Sequence, residues 1–341
     1  MLSTIGLVTF LTIGLGADKP AGEIAFIHGT EQEDLSVCVL NLDAGTVRTV
    51  GRGQRDGRPA WSPDGRRLVF SSMLDGLKVF VVNADGTGLE QLHQAAKWNF
   101  DPVWSEDGQR LAYSSGSGFQ RKVAVYELKT GQETFWAGGE AGFWRPQWFD
   151  AQRLVAVQRT QGGKGVRTEL VWVTATGFEP LPVSGEETQD YVEWSPVVHP
   201  GKSAIAFESN DGGDREIFGF FLQHWLLTDL SNHRAADWNP VWSPNGDWLA
   251  FESFRDGMRG VYCVAPEHLL VTAVAVPENA AAWAPVWSPD SEWIAYVSNQ
   301  TGASELFVSH RSEGETRQLT SNGELNYEPV WNPVGAVEAE R

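Results

Sequence analysis

The sequence has little of what most enzyme classes and nucleic-acid-binding proteins need. Its 341 residues contain only 2 cysteines, no Gly-x-Ser-x-Gly elbow, no His-Glu-x-x-His pair and no Cys-x-x-Cys pair. Serine hydrolase, zincin and zinc-ribbon chemistry therefore have no support in the sequence. Cationic side chains are also few, 26 Lys and Arg against 44 Asp and Glu, for a net charge of −18. A field of that sign repels phosphate backbones and anionic headgroups, which argues against nucleic acid or a membrane surface as the main partner.

The two cysteines, Cys38 and Cys263, fall one residue out of register when their strands are aligned. Successive strand residues point to opposite faces of a sheet, so we expect no disulfide between them.

Long hydrophobic runs are missing except at the start of the chain. Residues 1–17 are apolar or small and resemble the hydrophobic part of a secretory signal, although no Lys or Arg precedes them. A first buried strand or a short hydrophobic anchor is the alternative. A full membrane span needs roughly 20 apolar residues. We therefore expect a periplasmic or secreted protein with no integral membrane span.

What the sequence does have is an internal repeat marked by tryptophan. Tryptophan recurs at intervals of 43 to 48 residues, at Trp61, Trp104, Trp148, Trp194, Trp242, Trp287 and Trp331. In six repeats a proline stands two residues before it, at Pro59, Pro102, Pro146, Pro240, Pro285 and Pro329, and only Val192 breaks the pattern. We call these seven tryptophans the Trp column. They recur even in irregular repeats, so we expect them to fill the spaces between repeats rather than to bind a ligand.

Each repeat contains four short apolar runs and no helical periodicity. After the column Trp, a Ser-Pro-Asp-Gly type of turn leads into a second run such as Leu249-Ala250-Phe251, and two further strands follow. Four antiparallel strands in 40 to 50 residues are typical of a propeller blade. The first second-strand run, at residues 24–26, has no Pro-x-Trp before it, and the last Pro-x-Trp, at residues 329–331, has no run after it.

The sequence thus predicts an all-β, seven-bladed β-propeller over residues 22–333, with a flexible tail at residues 334–341. The C-terminal strand should pair in the N-terminal blade and close the ring. The motif Trp-Ser-Pro-Asp-Gly, followed by Leu/Ile-Ala-Phe, resembles the repeat of the TolB-like propeller family. The resemblance covers about residues 22–333 and implies a propeller. It also implies, more weakly, a periplasmic protein that contacts another protein.

Candidate site residues lie three and four positions before the column Trp, where the outer strand of one blade crosses to the inner strand of the next. The fourth position is aromatic in five of seven repeats: Gly57, Phe100, Trp144, Asp190, Trp238, Trp283 and Tyr327. The third position varies in charge: Arg58, Asp101, Arg145, Tyr191, Asn239, Ala284 and Glu328. In a propeller this crossing surrounds one mouth of the central channel.

Two interpretations of these residues stay open. The aromatic side chains either cap the core at the blade edge or line a funnel that binds a peptide, a protein loop or a sugar chain. Acidic residues nearby would bias the rim toward cationic partners: Asp75, Asp211, Asp214, Asp256, Glu208 and Glu252.

No metal or cofactor is predicted from a recognised motif. The 7 histidines do not repeat at blade spacing. The segment at residues 210–214, Asn-Asp-Gly-Gly-Asp, offers calcium-type oxygens but lacks the spacing of a calcium loop, so a metal in the channel stays an open question. We expect a monomeric, non-enzymatic, protein- or peptide-binding scaffold of the cell envelope without a cofactor. The alternative is a carbohydrate-binding or carbohydrate-active propeller that resembles oligogalacturonate lyases.

Overall fold

The repeat folds as the sequence predicts, into blades of four antiparallel strands. The structure is a computed structural model that describes residues 19–31, 34–162, 165–183, 193–210 and 213–335. Within these residues 28 strands form seven sheets. The all-β, seven-bladed propeller is therefore confirmed. We name the strands of a blade A to D from the central axis outward.

Blade 1 closes the ring, because its strand A comes from the C-terminal end of the chain. Its strands in order A to D are β28 (Leu325–Trp331), β1 (Glu23–Gly29), β2 (Ser36–Asn41) and β3 (Thr46–Thr49). β28 pairs antiparallel with β1, with Trp331 opposite Ile24 and Leu325 opposite Gly29. The predicted closure is confirmed, and it covers the edge of β1 that would otherwise be open.

The other six blades follow in chain order, each built from four consecutive strands. Blade 2 has β4 (Gly57–Trp61), β5 (Arg67–Met73), β6 (Leu77–Asn83) and β7 (Glu90–Gln91). Blade 3 has β8 (Asn99–Trp104), β9 (Arg110–Ser115), β10 (Lys122–Glu127) and β11 (Gln132–Ala137), with a short 3-10 helix, Gly118–Gln120, before β10. Blade 4 has β12 (Gly142–Trp148), β13 (Leu154–Gly162), β14 (Gly165–Thr174) and β15 (Gly177–Pro180).

The last three blades are equally regular. Blade 5 has β16 (Glu193–Val198), β17 (Ala204–Ser209), β18 (Glu216–Phe221) and β19 (Leu226–Asp229). Blade 6 has β20 (Asp237–Trp242), β21 (Leu249–Ser253), β22 (Gly260–Ala265) and β23 (Leu270–Ala275). Blade 7 has β24 (Ala282–Trp287), β25 (Trp293–Ser298), β26 (Glu305–His310) and β27 (Thr316–Gln318).

The Trp column packs between blades. Trp61, Trp104, Trp242, Trp287 and Trp331 are at most 8% exposed. In four of these five the indole Nε1 donates to a carbonyl on strand A of the preceding blade, for example Trp287 to Val241 at 3.0 Å. Each such indole removes apolar area from water and ties two sheets together.

Blade 5 departs from the predicted register. Trp194 lies opposite Glu208 and Val198 opposite Ile205, whereas in blade 6 Trp238 lies opposite Glu252 and Trp242 opposite Leu249. The prediction that Trp194 belongs to the column, with Val192 as its exception, is therefore wrong. Val198 takes the column position, with a proline two residues before it as in the other blades, and Trp194 takes the aromatic position four residues earlier.

The two cysteines form no disulfide with each other, as predicted, and both are buried. Cys38 packs in the cluster between blades 7 and 1, and Cys263 packs in the cluster between blades 6 and 7. No helix long and apolar enough to cross a membrane occurs in the part of the chain that the structure describes.

Candidate functional site

A single backbone irregularity repeats in all seven inner strands. The pairing of strand A with strand B shifts register just before the column position, for example between Phe100 and Val103, and the same shift occurs in the other six blades. The shift leaves one residue per blade with a positive φ between 47° and 55°: Arg58, Asp101, Arg145, Ser195, Asn239, Ala284 and Glu328. We call these seven residues the channel ring.

The channel ring lines one cavity on the propeller axis. All seven residues border a space of about 740 Å³, together with the prolines and small apolar residues that follow them on the inner strands. The ring lies at the end of strand A that pairs with the last residues of strand B. It therefore surrounds the channel mouth on the side of the turns between strands B and C, which we call the B–C face.

None of the seven ring residues is glycine, although glycine is the residue that adopts a positive φ without strain. For other residues this region costs roughly 1 to 2 kcal/mol, and less for Asn and Asp. Glycine would relieve the backbone strain at all seven positions, yet each of them carries a side chain.

Three of the four ring charges lie together, with Arg58 between two carboxylates. The Arg58 Nε lies 3.6 Å from a carboxylate oxygen of Asp101 and 3.6 Å from one of Glu328. The Glu328 carboxylate also accepts from the Arg58 backbone N–H at 2.6 Å. Farther round the ring, Arg145 of blade 4 donates to the hydroxyl of Ser195 in the adjacent blade 5 at 2.7 Å. Burial, and then the positive charge of Arg58, lower the pKa of Arg145, whose ordinary value is high enough for it to remain protonated.

Two buried glutamates, Glu208 and Glu252, accept hydrogen bonds from backbone N–H groups of the channel ring. Glu208 accepts from the Asn239 backbone N–H at 3.0 Å, and Glu252 accepts from the Ala284 backbone N–H at 2.8 Å. Glu208 also pairs with Arg215 at 3.2 Å, and Glu252 forms an ion pair with Arg259.

The expected attraction of the rim for cations therefore needs correction. Glu208 and Glu252 are 2% and 0% exposed and already paired with arginine, and Asp75 pairs with Lys97 at 2.8 Å. Asp256 accepts from the Tyr262 hydroxyl at 2.7 Å. Asp214 is exposed, and Asp211 lies outside the described residues. Three of the six acids thus offer no unpaired charge to a partner.

The aromatic position does not form a row of open ring faces. The guanidinium carbon of Arg121 lies 3.7 Å from the ring centre of Phe100 and 5.2 Å from that of Trp144, which is only 7% exposed. Arg159 lies 5.5 Å from the same Trp144 ring. Arg145 lies over Trp194 at 5.8 Å. At these three rings, arginine side chains cover part of the aromatic surface, including that of Phe100 and Trp144, which the sequence suggested could be open.

The remaining aromatic residues are half-buried. Trp238 meets Phe254 edge-on at 5.3 Å, and Arg259 lies over Trp283 at 5.7 Å. Trp283 and Tyr327 border the central cavity directly.

Several predicted site residues line the central cavity at the B–C face, some lie outside it, and two are not among the described residues. Asp101, Arg145, Asn239 and Glu328 line the cavity with Trp283 and Tyr327, whereas Phe100, Trp144 and Trp238 lie just outside it. Asp190 and Tyr191 lie outside the described residues. In blade 5, Trp194 and Ser195 occupy the two positions that the sequence analysis had assigned to Asp190 and Tyr191. The proline at position 196, followed by a Pro-Gly turn at 200–201, was the signal that would have found this register.

Metal-ligating side chains do not converge in the described part of the chain, where no group of three or more His, Cys, Asp or Glu could hold an ion. The segment at residues 210–214 that suggested calcium is described only in part.

Known proteins share this architecture at low sequence identity. TolB from Acinetobacter baumannii is 15% identical with a TM-score of 0.61, over 92% of this chain and 67% of that one. The β-propeller domain of the Trilobed protease from Pyrococcus furiosus is 13% identical with a TM-score of 0.68, over 88% of this chain and 95% of that one. An oligogalacturonate lyase in complex with manganese is 16% identical with a TM-score of 0.60, over 87% and 85%.

At this identity the likeness establishes the fold alone, and no curated relative matches the chain. The sequence model of the TolB beta propeller domain family matches residues 19–177 and 186–337, which together make up most of the chain. The chain therefore belongs to the TolB beta-propeller family.

Proposed function

We propose that this chain is a non-enzymatic scaffold of the cell envelope that binds a peptide segment or protein loop at the B–C face. The observation that carries the proposal is the channel ring. Seven non-glycine side chains occupy positive-φ positions around one cavity, and four of them are charged. Residues held in strained backbone conformations concentrate at functional sites, because only a gain elsewhere offsets their cost.

The cavity suits a peptide. Its volume of about 740 Å³ lies within the range of about 300 to 1,000 Å³ that is usual for ligand pockets. Its walls alternate apolar residues, such as Val103 and Val241, with the charged and amide groups of the ring. A peptide presents apolar side chains and hydrogen-bonding backbone groups together, and it can enter a channel end-on.

The location is proposed from the family. TolB-like propellers are typically periplasmic, and we extend that location to this chain. We expect the partner to be another envelope protein.

Glycine substitutions in the ring test the proposal, because glycine removes a side chain without straining the backbone. Arg58→Gly and Asp101→Gly should each lower the capture of a crosslinked envelope partner at least tenfold. The free energy of unfolding should change by less than about 1 kcal/mol. Relief of the positive-φ cost offsets the added entropy of the unfolded chain and the loss of exposed ion pairs.

Ala284→Gly is the matched control, because it makes the same backbone change at a ring position that has almost no side chain. It should capture the partner as the wild type does. If all three variants behave alike, or if the captured ligand is a sugar chain, the proposal is wrong.

A further inference from the structure

The B–C face carries two arginines, Arg121 and Arg159, that form no ion pair with any described residue. Arg121 precedes strand C of blade 3, and Arg159 lies on strand B of blade 4, so the two come from neighbouring blades. Both guanidinium carbons lie within 5.5 Å of the Trp144 ring centre. Phe100 and Phe119 flank them, with Arg121 at 3.7 Å from the first ring and Arg159 at 5.4 Å from the second.

These arginines are half-buried yet unsatisfied. Within the described residues neither has a carboxylate at ion-pair distance or a side-chain hydrogen bond, and the Nε atom of each is buried without an acceptor. Asp101 attracts Arg121 electrostatically, and Arg159 repels it. The Asp101 carboxylate is itself engaged by Arg58. Although the chain has a net charge of −18, none of its described carboxylates pairs with these two neighbouring cations, and burying a guanidinium nitrogen without an acceptor costs free energy that a bound anion would recover.

The stacking prepares the guanidinium groups for an anion. An arginine laid over an aromatic face keeps its planar fork in a fixed orientation, so less entropy is lost when the fork donates to a ligand. A carboxylate matches the spacing of that fork and can accept two parallel N–H bonds.

We propose that Arg121 and Arg159, framed by Phe100, Phe119 and Trp144, bind a carboxylate of the peptide segment that the B–C face takes. This inference rests on the proposed function and names the chemistry of the partner, an acidic peptide. A sugar chain fits the same place less well. A pyranose ring stacks on an open aromatic face, whereas Arg121 covers Phe100 and only 7% of Trp144 is exposed.

A pair of matched peptides tests the site directly. The probes are the fluorescein-labelled, C-terminally amidated heptapeptide Gly-Ser-Glu-Phe-Glu-Ser-Gly and its counterpart with Gln in place of Glu. By fluorescence anisotropy the acidic peptide should bind the wild-type protein at least tenfold more tightly than the neutral one, since hydrogen bonds between charged groups are lost in the latter. Salt should weaken the binding of the acidic peptide.

Variants assign the effect to residues. Arg121→Met and Arg159→Met keep the apolar stem over the aromatic rings and should each weaken the acidic peptide at least tenfold. Arg121→Lys keeps the charge but not the fork, and should weaken it less. Arg110→Met is the matched control, because Arg110 lies over Trp148 at 4.7 Å at the opposite end of strand B. It should leave binding unchanged.

Contrary results are equally specific. The site is refuted if the two peptides bind equally, if the acidic peptide does not bind at up to about 1 mM, or if the Met variants match the wild type. Should a Met variant unfold, Arg121→Lys against the wild type decides, since equal affinities would refute the site. Binding of tetragalacturonate instead of the acidic peptide, lost in the same variants, would replace the peptide by a uronate chain.

Failure of this inference and failure of the proposed function look different. A crosslinked partner that depends on Arg58 but not on Arg121 or Arg159 would leave the scaffold function and remove the carboxylate site. Peptide binding that depends on Arg121, with no protein partner captured through the ring, would do the reverse.

Discussion

Trp242 offers the sharpest test of how the blades are held together. Its side chain is 7% exposed, its Nε1 donates to the Val197 carbonyl of blade 5 at 3.2 Å, and its ring meets His199 edge-on at 4.8 Å. Trp242→Ala removes the apolar contact and leaves a cavity between two sheets, at a cost of about 3 to 5 kcal/mol. Domains are stable by only about 5 to 15 kcal/mol in total.

A second substitution separates packing from hydrogen bonding. Trp242→Phe keeps most of the apolar area but leaves the Val197 carbonyl without its donor, which should cost about 1 to 2 kcal/mol. Urea unfolding followed by far-UV circular dichroism measures both changes without depending on tryptophan fluorescence.

Trp248 is the control within the same blade. It is half-buried, and the Arg311 guanidinium carbon lies 4.5 Å from the centre of its ring. Trp248→Ala should cost about 1 to 2 kcal/mol, from lost packing and a partly exposed cation–π contact. If Trp242→Ala unfolds within about 1 kcal/mol of the wild type, or if both Ala variants lose the same amount, the column does not hold adjacent blades together.

Three further outcomes can be checked. Deletion of residues 325–341 removes β28 and bares an edge of β1, so the shortened protein should unfold or aggregate, and an unfolding midpoint equal to that of the full chain would contradict the closure. Burial raises the pKa of Glu216 to about 7 from an ordinary 4.5, so the folded state binds more protons than the unfolded state between these values. The free energy of unfolding, measured relative to Glu216→Gln, should therefore fall as the pH rises from about 5 to about 8. A difference between the two proteins that stays constant over this range would contradict the shift. Burial raises the pKa of Cys38 to about 11 and also raises that of Cys263, so a thiol reagent should label neither in the native state and both in denaturant.

The fold was predictable because the repeat acts at several levels at once. The proline, the column Trp and the Ser-Pro-Asp-Gly turn each have a local physical role, and all of them recur at one period. The turn shows this well. Gly65 has a φ of 66°, which glycine adopts without strain, and a Cβ there would lie 2.2 Å from the Asn332 side chain, so glycine also leaves room for that contact.

In blade 5 the tryptophan and the proline of the repeat point to different registers, and the prediction followed the tryptophan. Spacing alone favours the wrong residue: through Trp194 the two intervals are 46 and 48 residues, whereas through Val198 they are 50 and 44. Proline is the more reliable marker here. A proline directly follows the channel-ring residue in every blade, as at Ser195 in blade 5, whereas the column position holds valine in that blade.

The arginine pair could not be predicted from the sequence. Arg121 follows a short 3-10 helix, and Arg159 lies in a strand that is longer than its equivalents. Their meeting over Trp144 depends on how the turn before β10 packs against the extended strand β13 of the next blade, and no periodic pattern encodes that.

The repeated bulge separates the residues that build the propeller from those that distinguish it. Strand pairing, the prolines and the Trp column are nearly the same in every blade, so they carry no information about a ligand. The channel ring has the same backbone in every blade but a different side chain, from Arg58 to Ala284 to Glu328. Within the channel, a ligand can be distinguished only through these differences, and they are spread around the whole axis. A ligand that uses the ring would therefore contact several blades at once, and loss of one ring side chain should weaken its binding without abolishing it.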